Sequence, residues 1–391
     1  MTRDLDVTLP GEIERLGSEF ADRAALVADD ETVTYAELKR RCRRYASWAR
    51  SQALAPGDVV CLLMHNCVEY PAIWLGVTGA GGVVALLNTS LEGGALAHAI
   101  RAAQPTHLIT TPALAPAVDA IRSELPSRCG LWLAGAPAAD AGWTSLDRQL
   151  YPDDPSPPPS DGPRSNRELA LLIYTSGTTG LPKAARISHY RILEWSLWFA
   201  GMIDAGPHDR LYDCLPLYHS TGGIVAVGAM LVRGGAVVIR ERFSAARFWA
   251  DIVDGECTLF LYIGELCRYL LAAPEDQRAG LHRLRLCVGN GLRGDVWERF
   301  TRTFAIPQVL EFYASTEGNV SLYNCEGRPG AIGRVPSVFA HRFPIALIRC
   351  DGDTGVAERG PDGSCIRCRP GEIGEAIGRI DTAGEADTSA F

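Results

Sequence analysis

Short, uninterrupted apolar runs recur along this sequence, and stretches with the apolar spacing of a helix lie between them. Three runs precede residue 150, at 58–66, 81–88 and 106–111. Further runs follow in the order LALLIY, RLYDCLPL, GAVVIR, CTLFLYIG, LRLCVGNG and PQVLEFY. Runs of this length, often bounded by Gly or Asn, are typical of strands buried on both faces of a parallel sheet. The alternation with helices predicts an α/β protein.

The segment 32–52, TVTYAELKRRCRRYASWARSQ, contains the start of one such helix. Its first residues favour a short strand, and apolar side chains then recur at intervals of three and four residues. Thr34 is a suitable N-cap, and Glu37 stands three residues later, which is the spacing of a capping box. We therefore predict a strand that turns directly into a helix at Thr34.

A change in composition divides the chain into three parts. The segment 151–168 is rich in Pro, Ser and Asp, which predicts an exposed linker. We assign residues 1–165 to a first α/β subdomain with this linker at its end, and residues 166–335 to a second α/β subdomain. Residues 336–391 contain short strand patterns separated by Gly and Pro turns, which predicts a small β-rich subdomain.

Charge and cysteine content narrow the classes of function. The net charge of −8 argues against nucleic acid as a partner, because that binding depends on Lys and Arg. The most apolar run, 72–87, is glycine-rich and shorter than the roughly 20 residues of a membrane helix, so we expect at most peripheral membrane contact. Twelve scattered cysteines predict reduced thiols in the cytoplasm. Two lysines against 36 arginines suggest a GC-rich bacterial genome.

The segment IYTSGTTGLPKAA, residues 173–185, continues the strand pattern LALLIY. Its small residues allow close approach of the backbone, and successive N–H groups in such a loop form a concavity that binds anions. Lys183 adds a positive charge, so phosphate is the expected ligand. The spacing is not that of a Walker A loop, and a Gly/Thr surface turn is the alternative interpretation. The candidate phosphate-binding residues are Thr175, Ser176, Gly177, Thr178, Thr179, Gly180 and Lys183.

The sequence YTSGTTGLPK resembles the signature loop of the adenylate-forming (ANL) superfamily. Further segments in the same order resemble the branch of fatty-acid transport proteins and very-long-chain acyl-CoA synthetases. The resemblance covers residues 20–380, and it implies the large N-terminal domain of that fold: two packed α/β subdomains with largely parallel sheets and a small β-rich, barrel-like subdomain. The segments that carry it are MHNCVEYPAIWLG, ALLNTSL, YDCLPLYHSTGGIV, YIGELCRYLL, GNGLR, EFYASTEGN and RGPDGSCIRCRPGE.

The resemblance implies that ATP, Mg²⁺ and coenzyme A are used. The loop 175–180 and Lys183 would hold the β- and γ-phosphates, Thr316 would reach the α-phosphate, and Glu317 would bind Mg²⁺. Tyr313 would stack on adenine. The remaining cofactor-binding candidates are Gly289, Asn290, Gly291, Glu311 and Phe312.

The resemblance also assigns residues to the carboxylic acid substrate. His219 would lie beside the acyl carboxylate, and a packed loop histidine is the alternative. Tyr262 and Gly264 would line the acyl tunnel, with Ala314 and Ser315 as further substrate contacts. Ala314 stands where the family usually has glycine, so its methyl group would crowd the adenine or the acyl group.

The sequence stops before the ribose-binding aspartate, the hinge and the C-terminal domain with the adenylation lysine that the resemblance predicts. We therefore expect an N-terminal domain that is weakly active or inactive alone. The whole protein would be an AMP-forming acyl-CoA synthetase for a long-chain or bulky polycyclic acid. One alternative is an enzyme that only thioesterifies a preformed acyl-adenylate, and another is a non-catalytic acyl-binding or transport module. The resemblance also allows a homodimer.

Overall fold

A computed structural model describes residues 7–29, 31–136, 142–150, 165–176, 181–318, 320–335, 338 and 345–378, with only the backbone of Ser176. Two large sheets dominate the described part of the chain. We call the seven-stranded sheet the first sheet and the eight-stranded one the second sheet. In both sheets most neighbouring strands are parallel, as the apolar runs predict, and the α/β fold class is confirmed.

The first sheet has the strand order β7-β6-β5-β3-β4-β8-β9, and only β8 and β9 pair in antiparallel fashion. Its strands are β3 Val59–Leu63, β4 Val83–Leu86, β5 His107–Thr110, β6 Gly130–Leu133, β7 Thr144–Ser145, β8 Leu169–Ser176 and β9 Pro182–Ser188. The helices of this region are α2 Tyr35–Ser51, α3 Glu69–Gly79, α4 Gly93–Ala103, α5 Ala115–Asp119 and a 3-10 turn Arg122–Glu124.

The second sheet has the order β15-β14-β13-β12-β10-β11-β1-β2, with antiparallel pairs at its two edges. Its strands are β1 Ala24–Val27, β2 Thr32–Thr34, β10 Arg210–Asp213, β11 Ala236–Ile239, β12 Leu259–Ile263, β13 Leu286–Asn290, β14 Val309–Ala314 and β15 Ser321–Asn324. Around it lie α1 Leu9–Glu19, α6 His189–Met202, a π-helical segment Thr221–Ala226, α7 Val227–Leu231, α8 Phe248–Asp254, α9 Gly264–Ala272, a 3-10 turn Gln277–Gly280 and α10 Gly294–Thr303.

The strand and helix predictions from the apolar runs are confirmed. The run 81–88 contains β4, and the PQVLEFY pattern contains β14. The Thr34 side chain accepts a hydrogen bond from Glu37 N at 3.2 Å, which is the predicted N-cap of α2. The Glu37 carboxylate accepts a hydrogen bond from Arg41 Nε at 2.8 Å. The capping contact described at this helix is therefore the one made by the Thr34 side chain.

Sheet membership is interleaved along the chain. Residues 24–34 supply β1 and β2 to the second sheet, and residues 169–188 supply β8 and β9 to the first. The sheets therefore do not divide at residue 165, although the subdomain boundaries stay a prediction about folding units. The predicted linker lies mostly in 151–164, outside the described residues.

Apolar side chains bury both faces of the first sheet. Within β3, Val60 and Leu62 belong to one apolar cluster, whereas Cys61 and Leu63 belong to another. The first of these clusters continues into the second sheet, where it includes Leu211 of β10. The two sheets thus share a core, which fixes their relative position.

The remaining described structure is small and rich in strand. Strands β16 Ile345–Arg349 and β17 Gly374–Gly378 form an antiparallel pair. The segment that connects them adds isolated β-bridges, such as the one between Arg359 and Cys365. Residues 336–337, 339–344 and 379–391 of this predicted subdomain lie outside the described residues. No helix in the described ranges is long and apolar enough to cross a membrane.

Candidate functional site

The carboxyl ends of neighbouring parallel strands bring the predicted site segments to one edge of the second sheet. Tyr262 pairs with Gly289 and Ile263 with Asn290, which aligns the ends of β12 and β13. Gly289 in turn pairs with Glu311 of β14. Ligands of open α/β sheets bind outside this edge. The fold therefore places the GNG and FYASTE segments next to each other.

Glu311 braces this edge with its side chain. Its carboxylate accepts hydrogen bonds from Tyr262 Oη at 2.7 Å, Leu292 N at 3.0 Å and Gly291 N at 3.1 Å. Burial raises the pKa of Glu311, and these three donors oppose that rise. The described contacts of Glu311 are thus with protein groups, and its predicted contact with nucleotide stays a prediction.

Tyr262 is fully buried, and its hydroxyl is the Glu311 donor described above. Burial, followed by the Glu311 charge, raises the pKa of this phenol well above its usual range. The described role of Tyr262 is to anchor the brace under the GNG turn. Its predicted contact with an acyl chain stays a prediction.

Three positions at this edge favour glycine, two because a side chain would collide with a neighbouring backbone and one because of its backbone conformation. A Cβ on Gly264 would lie 2.0 Å from Gly291 O, and one on Gly289 would lie 2.1 Å from Tyr262 O. Gly291 has φ +76°, a left-handed conformation that favours glycine. At these positions the backbone at the end of β12 and the start of α9 lies close to the end of β13, and larger residues would separate them.

Strand β14 directs successive side chains to different surroundings as it reaches the edge. Phe312 is buried and packs edge-to-face on Phe199 with ring centroids 5.6 Å apart, so its described role is in the core. Tyr313 is 47% exposed, and Ala314 and Ser315 are also exposed. An exposed aromatic ring at a strand end offers a face on which a base can stack.

The loop after β10 is held by a side chain from the first sheet. Asn66 follows β3 and donates to Leu215 O at 2.7 Å and to Arg240 O at 3.0 Å. Its own Oδ1 accepts from Leu217 N at 2.8 Å. Sequence reasoning missed this residue, because an Asn after an apolar run indicates only a strand end.

Asp213 fixes the start of the same loop. Its Oδ1 accepts a hydrogen bond from Leu215 N at 3.0 Å, and the carboxyl is fully buried at the end of β10. Burial raises the pKa of Asp213 well above its usual range. The loop that leads to His219 is therefore constrained from both sheets.

His219 lies on this loop and is exposed at its surface. Its ring centroid is 4.6 Å from that of Tyr218, and desolvation lowers its pKa. A histidine with a lowered pKa is uncharged at neutral pH, so it can donate or accept a hydrogen bond. The position suits a polar ligand, and the predicted contact with the acyl carboxylate stays a prediction.

Thr316 and Glu317 lie on the turn after β14, and two further side chains reach that turn. The hydroxyls of Ser220 and Thr316 are 2.8 Å apart. Arg191, in the first turn of α6, donates a hydrogen bond to Gly318 O. Sequence reasoning missed both Ser220 and Arg191, since neither lies near the turn in the chain. Thr316 and Glu317 are both partly exposed.

The phosphate-loop candidates are described only in part. Thr175 of β8 pairs with Lys183 of β9, and Lys183 is exposed. Gly177, Thr178, Thr179 and Gly180 lie outside the described residues, as does the side chain of Ser176. The described hairpin brings the lysine beside the strand end that leads into the loop.

Comparison with known proteins gives a consistent family. The model of the AMP-binding enzyme family matches residues 13–341. Mouse long-chain fatty acid transport protein 1 is 38% identical over 379 residues, which cover 96% of this chain and 59% of that protein. The chain thus spans less than two thirds of this relative's length.

Solved structures agree on the fold. The anthranilate CoA ligase AuaEII in complex with anthranoyl-AMP superposes with a TM-score of 0.80 at 21% identity, covering 96% of this chain and 71% of that one. ATP-bound MatB from Rhodopseudomonas palustris gives a TM-score of 0.76 at 25% identity, covering 95% and 70%. Because the family model matches most of this chain, the chain belongs to the AMP-binding enzyme family.

Proposed function

We propose that this chain forms the ATP- and acid-binding part of an AMP-forming acyl-CoA synthetase. The observation that carries the proposal is the contact between Ser220 and Thr316, which joins the His219 loop to the turn predicted to bind phosphate. His219, the candidate carboxylate contact, is the sequence neighbour of Ser220, and Ser220 is hydrogen-bonded to Thr316, the candidate α-phosphate contact. Adenylation requires these two ligand groups to meet.

The chemistry would proceed in two displacements. A carboxylate oxygen of the acid attacks the α-phosphorus of ATP, and the bond to the β-phosphate oxygen breaks to release pyrophosphate. The thiol of coenzyme A then attacks the acyl carbon, and AMP leaves. Charge builds on phosphate oxygens in the first step, so positioned hydrogen-bond donors and cations lower its barrier.

Residues of this chain would divide these tasks. Thr316 would donate a hydrogen bond to an α-phosphate oxygen, and Lys183 would neutralise the β- and γ-phosphates together with the loop 175–180. Tyr313 would stack on adenine. His219, uncharged at neutral pH, would orient the acid by a hydrogen bond and not by an ion pair.

The residues present suit Mg²⁺ bound together with ATP. Mg²⁺ is usually held by one or two carboxylates plus substrate phosphates, and Glu317 supplies one partly exposed carboxylate on the Thr316 turn. Among the described residues no group of three or more His, Cys, Asp or Glu is arranged to hold a metal alone. The ion would neutralise phosphate charge when bound.

The acid would be a long-chain or bulky polycyclic one. The support for a long-chain acid is the similarity to proteins whose name specifies long-chain fatty acids. We also propose that the protein acts in a bacterial cytoplasm, makes at most peripheral contact with a membrane and can form a homodimer. The twelve unpaired cysteines are compatible with a reducing compartment.

Calorimetry on the 391-residue chain tests the proposal with two ligands. One is ATP·Mg²⁺, and the other is a non-hydrolysable acyl-adenylate mimic, made with a series of long-chain and polycyclic acyl groups. We expect both ligands to bind, with affinity for the mimic depending on the acyl group. A chain that binds neither would contradict the proposal.

Lys183→Ala sharpens this test. The mimic lacks β- and γ-phosphates, so the substitution should weaken ATP·Mg²⁺ binding by roughly tenfold, the value of one charge-assisted hydrogen bond, and leave the mimic nearly unaffected. Arg186→Ala is the matched control, because Arg186 is an exposed cation three residues later on β9. Equal losses for both ligands would refute the assigned role of Lys183.

A further inference from the structure

Ser220 stands where it can control the hydroxyl of Thr316. The two side-chain oxygens are 2.8 Å apart, and either could be the donor. The residues are 96 positions apart in sequence, so the contact depends on the fold. Both lie at the carboxyl edge of the second sheet, one after β10 and the other after β14.

The support under Ser220 is rigid. The loop before it is bonded to Asn66, and His219 N donates to Pro216 O at 3.1 Å. Gly223 N donates to His219 O at 2.9 Å as the π-helical segment begins. A Cβ on Gly223 would lie 1.7 Å from Leu217 O, so this segment packs directly on the loop. Ser220 therefore has little freedom to move away.

The turn that carries Thr316 is also held. Gly318 N donates to Ser315 O at 3.2 Å, and Arg191 donates to Gly318 O from α6. The guanidinium of Arg191 lies over the Trp195 ring, 5.1 Å from its centroid. These contacts hold the backbone on both sides of Thr316, and the rotation of its hydroxyl decides where the proton points.

A count of protons gives the contact a direction. Each hydroxyl carries one proton and can accept through its oxygen. If Thr316 donates its proton to a phosphate oxygen, it cannot also donate to Ser220, so Ser220 must donate to Thr316. Hydrogen bonds in such a chain polarise one another, and the Thr316 proton then points towards the ligand.

We propose that Ser220 is a positioning residue that donates to Thr316 and orients its hydroxyl towards the α-phosphate of ATP. The inference rests on the proposed function, which gives Thr316 its ligand. Ser220 itself need not touch the nucleotide.

The test is a double-mutant cycle on ATP·Mg²⁺ affinity, measured by calorimetry on the 391-residue chain. Ser220→Ala should weaken binding by roughly 3- to 10-fold, the range expected for one hydrogen bond. Ser220→Thr keeps a hydroxyl and should bind within about twofold of the unaltered chain by the same argument. Thr316→Val removes the acceptor, so Ser220→Ala should have no further effect in that background.

Ser51→Ala is the control, because it also removes a serine hydroxyl bond, to Trp48 O at 2.8 Å, on the distant α2. It should leave ATP·Mg²⁺ affinity unchanged. A loss of affinity in Ser220→Ala that adds fully to that of Thr316→Val would overturn the positioning role. So would unchanged affinity in Ser220→Ala when Thr316→Val is impaired.

The proposed function fails by a different pattern. If the unaltered chain does not bind ATP·Mg²⁺, or if Thr316→Val binds it normally, the phosphate role of Thr316 is wrong and the inference falls with it. Thermal midpoints of all variants separate these outcomes from unfolding, and rescue by Ser220→Thr confirms that the hydroxyl is the active group.

Discussion

Replacement of Asn66 should loosen the loop that carries His219 and Ser220. The Asn66 side chain makes three hydrogen bonds to backbone groups of the second sheet region, at 2.7, 2.8 and 3.0 Å. One hydrogen bond contributes about 0.5–1.5 kcal/mol, and an unsatisfied buried partner costs more. Because Asn66 is half-buried, water can form some of the hydrogen bonds that the substitution removes. We therefore expect Asn66→Ala to destabilise the chain by about 2–4 kcal/mol.

Asn66→Asp makes the prediction sharper. The carboxylate can still accept from Leu217 N, but its second oxygen would face the carbonyls of Leu215 and Arg240, which now accept from the amide. Two acceptors in contact repel each other, so the isosteric Asp variant should be at least as destabilised as the Ala variant. His65→Ala is the matched control, since His65 is the exposed neighbour.

Two measurements check this prediction. Near the thermal midpoint the unfolding entropy is about 2.1 cal/mol/K per residue, so a loss of about 3 kcal/mol lowers the midpoint of a chain of this size by about 4 °C. Hydrogen exchange gives a local measure, because the Leu217 amide loses its acceptor and should exchange faster. If Asn66→Ala resembles His65→Ala in both measurements, the three bonds do not hold the loop in solution.

Three other predictions follow from buried groups. Glu311→Gln should destabilise the chain by about 1–3 kcal/mol, because its amide NH₂ would face either Gly291 N or the pair Tyr262 Oη and Leu292 N. Denaturant unfolding measures this change, and a neutral effect would contradict the bracing role of Glu311. Gly289→Ala places a Cβ 2.1 Å from Tyr262 O and should lower the thermal midpoint by several degrees, whereas Gly280→Ala, with nothing within 4 Å, should not. His189 is 1% exposed, and burial lowers its pKa from 6.5 to about 4, so the unfolded chain binds the proton more strongly. The contribution of neutral His189 to the free energy of unfolding is therefore complete above pH 6.5 and is lost as the pH drops towards 4. The loss is about 3 kcal/mol at 1.36 kcal/mol per pKa unit. His189→Leu should therefore flatten a plot of thermal midpoint against pH in this range.

Local sequence patterns predicted the central strands of both sheets well, because strands such as β3, β4, β11 and β12 are buried along most of their length. Strand β3 around Val60 is apolar at every position, because its successive side chains pack into apolar clusters on the two opposite faces of the sheet. The order of strands in each sheet could not be predicted in this way. Strand β1 pairs with β11, so that Leu26 lies beside Val237, and no local pattern records a partner more than 200 residues away.

The same distinction separates what the sequence could predict at the candidate site from what it could not. Thr316 and Lys183 belong to contiguous motifs whose residue types already suit phosphate. Asn66 and Ser220 form hydrogen bonds with residues far along the chain. Both residue types are common in turns, so only the structure separates these two from ordinary loop residues. Glu311 lies inside a recognised motif, yet its side chain binds the backbone of the neighbouring strand end. A motif thus indicates where a site forms, whereas the role of each residue within it depends on which neighbours the fold supplies. For this chain those neighbours come from both sheets, because Asn66, which follows a strand of the first sheet, binds the backbone of the His219 loop.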